Sequence, residues 1–434
     1  MVKKIETMLV AAALLLLAPV QQAFAQDDPL AGNSYSPYSL FGFGDVLRQG
    51  TTYNLSMGGI GIADRNVRYI NLLNPAAVTA REQKSFMMDF GLENRNTVYR
   101  SGASRSANNT FNMHHIVASL PIARHSAFKL GVMPYSSVAY DFKTVEYSDR
   151  ILSQIGDIEY EKVGKGGVYQ AFLGAGVTLW NHLSLGADFQ YYFGRIDRRT
   201  TASFSGDPSF RDITSGWDYN ISCFGGKVGV QYTQPLSNAL SAVLGVTYDF
   251  STKLRGNETR YAMAETPSTT DTISFDKHSI SNYSIPSELG VGLSFRYADR
   301  WMVGFDYTRQ NWKGMDFGGY PGVDFSTGVA QNFRAGFEIT PNRYDIRYFL
   351  RRLTYRAGAY HEISYLTLGG SQVASTGVTL GVGIPVFRYY NSINLGVEFG
   401  QRGTLTNDLI RERYFLFTIS FNLHDIWFIK PLYN

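Results

Sequence analysis

Six charged residues stand at alternate positions within four consecutive segments that are otherwise largely apolar. They are Arg296, Asp306, Arg334, Glu338, Arg356 and Glu362. Opposite charges on neighbouring segments can form ion pairs, and ions removed from water are tolerated only when they are paired. The sequence therefore predicts a polar network that holds neighbouring segments in register, and it favours this role over substrate binding.

The seven histidines are the residues from which a catalytic base would be drawn. A nucleophile needs such a base within hydrogen-bond reach. Only His278 lies deep in a long polar segment, and we expect the adjacent His114 and His115 to face opposite sides of one strand. No zinc-type spacing, phosphate-binding loop or dinucleotide fingerprint occurs. The sequence predicts a protein that is not an enzyme, with no metal and no cofactor.

The net charge and the cysteine content argue against two further classes of protein, nucleic-acid-binding proteins and disulfide-linked proteins. The formal net charge of +4 is too small to indicate a nucleic-acid partner. Cys223 is the only cysteine, so no disulfide can form within the chain.

The N-terminus has the features of a secretory signal peptide. These are two basic residues, Lys3 and Lys4, an apolar stretch from Met8 to Val20, and a cleavage site of small residues. The sequence therefore predicts that residues 1–25 are a secretory signal peptide.

The elements that carry these residues alternate between apolar and polar positions. Tyr414 to Asn422 shows the pattern, as do the segments around Leu183 to Gly194 and Leu289 to Tyr297. Many strands of about ten residues with one apolar and one polar face are typical of a transmembrane β-barrel. Fourteen strands are predicted, over residues 84–99, 108–120, 126–142, 166–180, 182–197, 215–232, 238–252, 283–298, 300–313, 329–339, 353–365, 372–386, 391–400 and 411–423.

The connections between these strands alternate in length along most of the chain. Short turns alternate with long polar segments such as 143–165, 198–214 and 253–282. Outer-membrane barrels have short periplasmic turns and long external loops. The sequence therefore predicts an all-β protein: a closed, 14-stranded antiparallel barrel over residues 84–434 in the bacterial outer membrane. One periplasmic turn is unusually long, Pro341 to Arg352, and helical spacing would place three of its arginines on one face.

Residues 26–83 precede the first strand, are rich in glycine and do not alternate. A fourteen-stranded barrel has a lumen too wide for its own side chains to fill. We therefore expect this segment to fold into the lumen as a plug.

The plug sequence resembles that of FadL-like outer-membrane transporters of long-chain fatty acids and hydrocarbons, in the branch common in Bacteroidota. The resemblance is carried by the run Leu55 to Ala63, by Asn74-Pro75-Ala76-Ala77 and by the opening Tyr35 to Asp45. It implies a plug and ligand-contacting set of Leu40, Phe41, Phe43, Gly58, Gly59, Leu72, Leu73, Asn74, Pro75 and Ala76. It also implies lateral release of a hydrophobic compound through a kinked third strand, where Pro134 would form the gate. Proline is confined to breaks in a sheet.

One alternative stays open. The polar lumen, the arginine-rich turn and the polar loop 253–282 also fit a FadL-like barrel that is a membrane subunit of an outer-membrane secretion or protein-assembly complex. The expected partners are outer-membrane lipids, hydrophobic small molecules and, in the alternative, other outer-membrane or periplasmic proteins.

Overall fold

The structure is a computed structural model, which describes residues 35–82, 84–146, 148–204, 210–266, 269–280, 283–315, 317, 323–386, 391–406 and 409–426. The predicted signal peptide lies outside the described residues. None of the helices in these ranges is long and apolar enough to cross a membrane.

Fourteen antiparallel strands form one closed sheet, which confirms the predicted fold class. In chain order, four of them being interrupted, the strands are β1 (Ser85–Ser101), β2 (Ser104–Ala123), β3 (Ser126–Ser137 and Tyr140–Val145), β4 (Ile158–Leu179), β5 (Leu183–Phe204), β6 (Asp212–Pro235), β7 (Leu240–Asp249 and Gly256–Thr266), β8 (Thr269–Ser279 and Glu288–Tyr297), β9 (Trp301–Asn311), β10 (Phe325–Thr327 and Val329–Ile339), β11 (Thr354–Leu368), β12 (Ser371–Pro385), β13 (Ser392–Arg402) and β14 (Arg411–Ile426). The ring closes where β1 pairs with β14, from Ser85↔Ile426 to Arg100↔Arg411. Closure leaves few backbone groups unpaired in hydrocarbon, where each would cost several kcal/mol.

The alternation of side chains sorts the two faces of the wall as the sequence predicts. On β5, Phe189 is 56% exposed, whereas the neighbouring Asp188 and Gln190 are buried in the lumen. The apolar residues of each strand form the outer, lipid-facing surface, and the polar residues face inward. This is the arrangement expected of a barrel in an outer membrane.

Two segments differ from the sequence-based expectation. The polar stretch 253–282 contains a β-hairpin, since Gly256–Thr266 pairs along its length with Thr269–Ser279. Strands that extend beyond the membrane need no apolar face toward lipid. An alternation of apolar and polar residues could therefore not reveal these two strands. In the arginine-rich turn only Phe349–Arg352 is helical, so helical spacing does not align Arg343 with Arg347 and Arg351.

Strand β3 separates from β2 halfway along the wall. The two strands pair from Ala123↔Ser126 to Ile116↔Val132. Among the described strands, residues 104–115 of β2 pair only with β1. The outer half of the wall therefore has no ladder between β2 and β3 within the described residues.

Beyond this point β3 pairs with the segment that precedes the barrel. Ser136 and Ser137 pair with Val46 and Asp45 of a two-residue strand. The register between β3 and β4 shifts just after Pro134. Proline has no N–H to donate to a ladder, so this is a position where a strand can bend out of its sheet.

Residues 35–82 lie inside the ring, and we call them the plug segment. They hold two short 3-10 helices, Pro37–Leu40 and Pro75–Thr79, and one α-helical turn, Thr52–Leu55. Their partners lie on strands all around the barrel, including Ser119 on β2, Gln231 on β6, Asp306 on β9, Thr379 on β12, Glu398 on β13 and Asn422 on β14. A segment that bonds to opposite sides of a closed ring must occupy its lumen.

Candidate functional site

Ion pairs fasten the plug segment to the wall, and Arg48 makes the largest set. Its guanidinium forms two hydrogen bonds with Glu398, at 2.7 and 3.1 Å, and lies 3.3 Å from Glu362. It also stacks 3.8 Å above the ring of Tyr360. Arg48 is nearly buried, so these two carboxylates provide the compensation that a buried cation needs.

A second chain of charges joins the plug segment to strands β8, β10 and β11. Asp64 pairs with Arg296 at 2.8 Å, and Arg296 lies 3.3 Å from Glu338. Glu338 pairs in turn with Arg356 at 3.1 Å. Burial raises the pKa of the Asp64 carboxyl, and Arg296 works against that rise. The charges alternate in sign, so each ion is paired.

The six residues of the predicted network are thus divided. The structure brings Arg296, Glu338 and Arg356 together and places Arg334 apart from them, paired with Glu362 at 2.8 Å. Asp306 makes no ion pair among the described residues. Its carboxylate instead accepts hydrogen bonds from the backbone N–H groups of Gly61 and Ile62, at 2.6 and 2.8 Å. Sequence reasoning missed Arg48 and Asp64. The plug segment has no alternation of apolar and polar residues, so the sequence does not show which of its side chains point toward the wall.

Glycines allow the plug backbone to lie directly against the wall. Gly58 has a φ of +70°, and a Cβ there would lie 2.7 Å from the carbonyl oxygens of Ala335 and Ala359. Its N–H donates to Thr379 at 2.8 Å. Gly59 follows with a φ of +83° beside Arg48 and Arg334. A side chain at Gly58 would push the plug off strands β10 and β11.

Asn74, Pro75 and Ala76 form a second contact with the wall, beside strands β4 to β6. The Asn74 carboxamide accepts from the Ala76 N–H at 3.0 Å, which caps the helix Pro75–Thr79, and donates to Ile62 O at 2.8 Å. A Cβ at Gly186 would lie 2.4 Å from the Pro75 backbone. The motif therefore positions the plug against the wall in this structure.

The apolar residues assigned to the ligand by resemblance fall into two sets. Phe41 and Phe43 are buried in a cluster with wall residues, where Phe41 stacks on Phe325 and Phe43 lies edge-on to Tyr135; Leu40 packs against the same cluster. Leu72 and Leu73 instead line a cavity.

This cavity, of about 240 Å³, lies between the plug segment and the inner wall. Its lining mixes apolar residues, among them Met133, Tyr135 and Phe172, with charged residues from both plug and wall, including Arg48, Arg95, Lys227, Arg334, Arg402, Asp188, Asp249, Glu288 and Glu362. Met133 and Tyr135 flank Pro134, so the cavity adjoins the bend in β3.

Arg95 differs from the other cations of the cavity. No described carboxylate pairs with it, its Nε is buried without a hydrogen-bond partner, and its guanidinium lies 4.8 Å above the ring of Tyr414. The carboxylates of Glu93, Asp45 and Glu398 lie beyond ion-pair distance but still act on its charge.

His114 and His115 both face the lumen, so the expectation that they face opposite sides is wrong. A β-bulge is the reason: Gly91 pairs with His115 and Leu92 with Met113, which leaves His114 as the extra residue. The His115 ring bonds to Asp89 at 2.7 Å and lies 2.9 Å, nitrogen to nitrogen, from His114. In the described residues no group of histidine, cysteine and acidic side chains could hold a metal ion.

Solved structures of the same architecture share the fold at low sequence identity. The Ralstonia pickettii toluene transporter TbuX is 16% identical, with a TM-score of 0.59 over 87% of this chain and 98% of that one. The Pseudomonas putida toluene transporter TodX is 15% identical, with a TM-score of 0.57 over 88% and 100%. A Pseudomonas aeruginosa FadL homologue is 11% identical, with a TM-score of 0.52 over 88% and 100%. At these identities the likeness establishes the fold alone.

No curated protein matches the sequence. The family model described as BamG matches residues 1–434, the whole chain. Together with the closed ring and its lipid-facing apolar surface, this match places the chain in the bacterial outer membrane as a FadL-like barrel that belongs to the BamG family.

Proposed function

We propose that the protein is an outer-membrane channel for hydrophobic compounds such as long-chain fatty acids, with lateral release beside the third strand. The observation that carries the proposal is the departure of β3 from β2 after Val132, next to the luminal cavity. A compound in the cavity would leave between β2 and β3 without crossing the plug. The proposal includes a signal peptide at 1–25, a plug at 26–83 and the barrel at 84–434.

The cavity suits an amphiphile better than a plain hydrocarbon. Leu72, Leu73 and Phe172 supply apolar contacts, while Arg95 supplies a guanidinium that no described carboxylate contacts within ion-pair distance. A carboxylate that pairs with a guanidinium forms two parallel hydrogen bonds. The proposed substrate class is therefore a hydrophobic compound with one anionic end.

Replacement of Pro134 by Val tests the lateral exit. Valine restores a backbone N–H and favours straight pairing, so we expect β3 to stay closer to β2 and uptake of a fluorescent long-chain fatty acid to fall. Uptake is measured in cells that carry the wild-type protein or the variant at equal abundance. The wild-type protein must first raise uptake above that of cells that lack it.

Pro385 provides the matched control, because it is the last residue of β12, where a missing donor has little effect. Pro385→Val should leave uptake unchanged. If Pro134→Val folds and transports as well as the wild-type protein, the exit does not lie at this strand. A wild-type protein that moves no such probe would remove the channel proposal.

A second candidate function is that of a membrane subunit of an outer-membrane secretion or protein-assembly complex. The observation that favours it is the turn 341–352, which joins β10 to β11 on the side of the short turns. There Ile346 is 99% exposed and Leu350 66% exposed. The backbone N–H groups of Tyr348 and Arg347 donate to Asp345, which holds the pKa of its carboxyl below the usual range and keeps the turn ordered. Ordered, exposed apolar residues on a periplasmic turn are typical of a protein-binding surface.

Ile346→Asp tests this candidate. If the turn binds a periplasmic or membrane partner, proteins that co-purify with the wild-type barrel in mild detergent should be lost from the variant, since a charge replaces an apolar contact. Leu236→Asp is the control, because Leu236 is an apolar residue, 53% exposed, on a short turn at the same end of the barrel. Loss of partners from both variants, or from neither, would argue against the turn as the docking surface.

A further inference from the structure

Four arginines form a ridge on the outer surface where β1, β2 and β14 meet. Arg100 lies opposite Arg411 on one side and opposite Arg105 on the other. Arg413 lies next to them on β14, opposite Val98. Residues directly opposite on neighbouring strands have Cβ atoms about 4.5–5.5 Å apart, and like charges at that distance are destabilising. We call these four residues the arginine ridge.

No described carboxylate compensates this charge. Within the described ranges, no ion pair involves any of the four arginines, and Arg413 donates only to the neutral Gln401, at 3.0 Å. Two other basic residues on the outer strand ends have carboxylate partners: Arg195 lies 2.6 Å from Asp218, and Lys143 lies 2.6 Å from Glu159. The ridge is thus a local excess of positive charge that intramolecular contacts do not explain.

The ridge lies at the depth of the lipid headgroups. On β14, Phe421, Ile419, Phe417 and Phe415 form the lipid-facing face up to Arg413. Phe415 packs on the exposed Phe399 of β13, with ring centroids 4.9 Å apart. Aromatic residues mark the membrane–water interfaces of barrels. Arg413 and Arg411 follow this aromatic pair on the same face, so they lie just outside the hydrocarbon.

Three asparagines extend the polar surface from the ridge toward the membrane. The three lie on the lipid-facing side of the wall, as the ridge does: Asn94 and Asn96 on β1, and Asn109 on β2. The pairing of β1 with β14 and with β2 places them on this side. Asn94 donates to Asn109 at 3.0 Å, and Asn96 donates to Asn94 at 2.8 Å. Amides on this face would be unfavourable against acyl chains, but they can bond to the hydroxyl groups of a sugar headgroup.

We infer that the arginine ridge and the three asparagines form a binding site for a phosphorylated glycolipid of the outer leaflet. Guanidinium groups bind phosphate through paired, charge-assisted hydrogen bonds. The phosphates would lie among the arginines and neutralise their mutual repulsion, while the sugar hydroxyls bond to the asparagine amides. The acyl chains would then lie along the apolar surface of β14. This inference is independent of what, if anything, crosses the barrel.

The test compares wild-type barrel with the variant Arg100→Gln/Arg105→Gln/Arg411→Gln/Arg413→Gln, in which the ridge is neutral. Bis-phosphorylated lipid A is titrated into each protein in detergent, and bound lipid is counted by native mass spectrometry. We expect affinity to fall at least about tenfold, because one hydrogen bond to a charged group contributes that much. The double variant Arg100→Gln/Arg411→Gln, expected to lose an intermediate amount, serves if the quadruple variant does not fold.

A charge-matched control removes four basic residues that have carboxylate partners: Arg195, Lys143, Arg211 and Arg260. Each becomes Gln, and binding should be unchanged. Dephosphorylated lipid A with the same acyl chains should bind as weakly as the ridge variant binds the parent lipid, and inorganic phosphate should not displace the lipid. Equal binding by the ridge variant, an equal loss in the control, or equal binding of the dephosphorylated lipid would overturn the inference. Displacement by inorganic phosphate would show a free-anion site and overturn the lipid assignment.

Discussion

Deletion of residues 35–75 should convert the closed barrel into a pore that conducts ions in planar bilayers. This segment fills the lumen and bonds to strands around the ring. A fourteen-stranded barrel cannot fill its lumen with its own side chains, so water should enter when the segment is gone. Charges left without plug partners, such as Glu398 and Arg296, would then be hydrated and need no protein partner. The barrel is therefore expected to stay folded, and single-channel conductance is the measurement.

Deletion of residues 263–272 is the control, because the described residues of this range pair with one another in the outer hairpin. This variant should conduct no more than the full-length protein. Folding of both variants is checked by the heat-dependent change in gel mobility. A plug deletion that folds yet stays as tight as the full-length protein would mean that the wall itself occludes the lumen.

Replacement of Arg48 by Met should destabilise the protein more than any other single change proposed here. The side chain keeps a similar length, but the buried Glu398 loses its only cation among the described residues, whereas Glu362 keeps Arg334. Removal of one partner from a buried ion pair costs about 3–5 kcal/mol, because the remaining charge is left uncompensated. The measurement is the free energy of unfolding from a urea titration in detergent.

Arg195→Met gives the comparison, since Arg195 pairs with Asp218 on the exposed outer surface. Exposed pairs contribute about 0–1 kcal/mol, so this variant should unfold close to the wild-type midpoint. If the two variants lose the same free energy of unfolding, the ion pairs of Arg48 stabilise the protein no more than an exposed pair does.

The outer architecture is readable from the sequence because its signal is local. Alternation along one strand shows which side faces lipid, and every strand carries its own copy of that signal, as around Leu183 to Gly194. The fourteen strands follow from patterns within about ten residues. A bend of the third strand at Pro134 is implied by the resemblance to FadL-like transporters, together with the rule that proline sits at breaks in a sheet. The bulge at His114 escapes this reasoning, because one extra residue reverses the face of a side chain without changing residue type.

The contacts inside the barrel depend on tertiary structure. Asp306 bonds to the backbone of Gly61 and Ile62 and not to an arginine, and Arg48 meets Glu398 across 350 residues of sequence. The arginine ridge forms because the first and last strands pair, which brings Arg100 and Arg411 together. The sequence by itself determined a plugged outer-membrane barrel, since alternation and composition are properties of single segments. Only the tertiary structure decided which charges meet, because register and ring closure set the distances between groups that no local pattern connects.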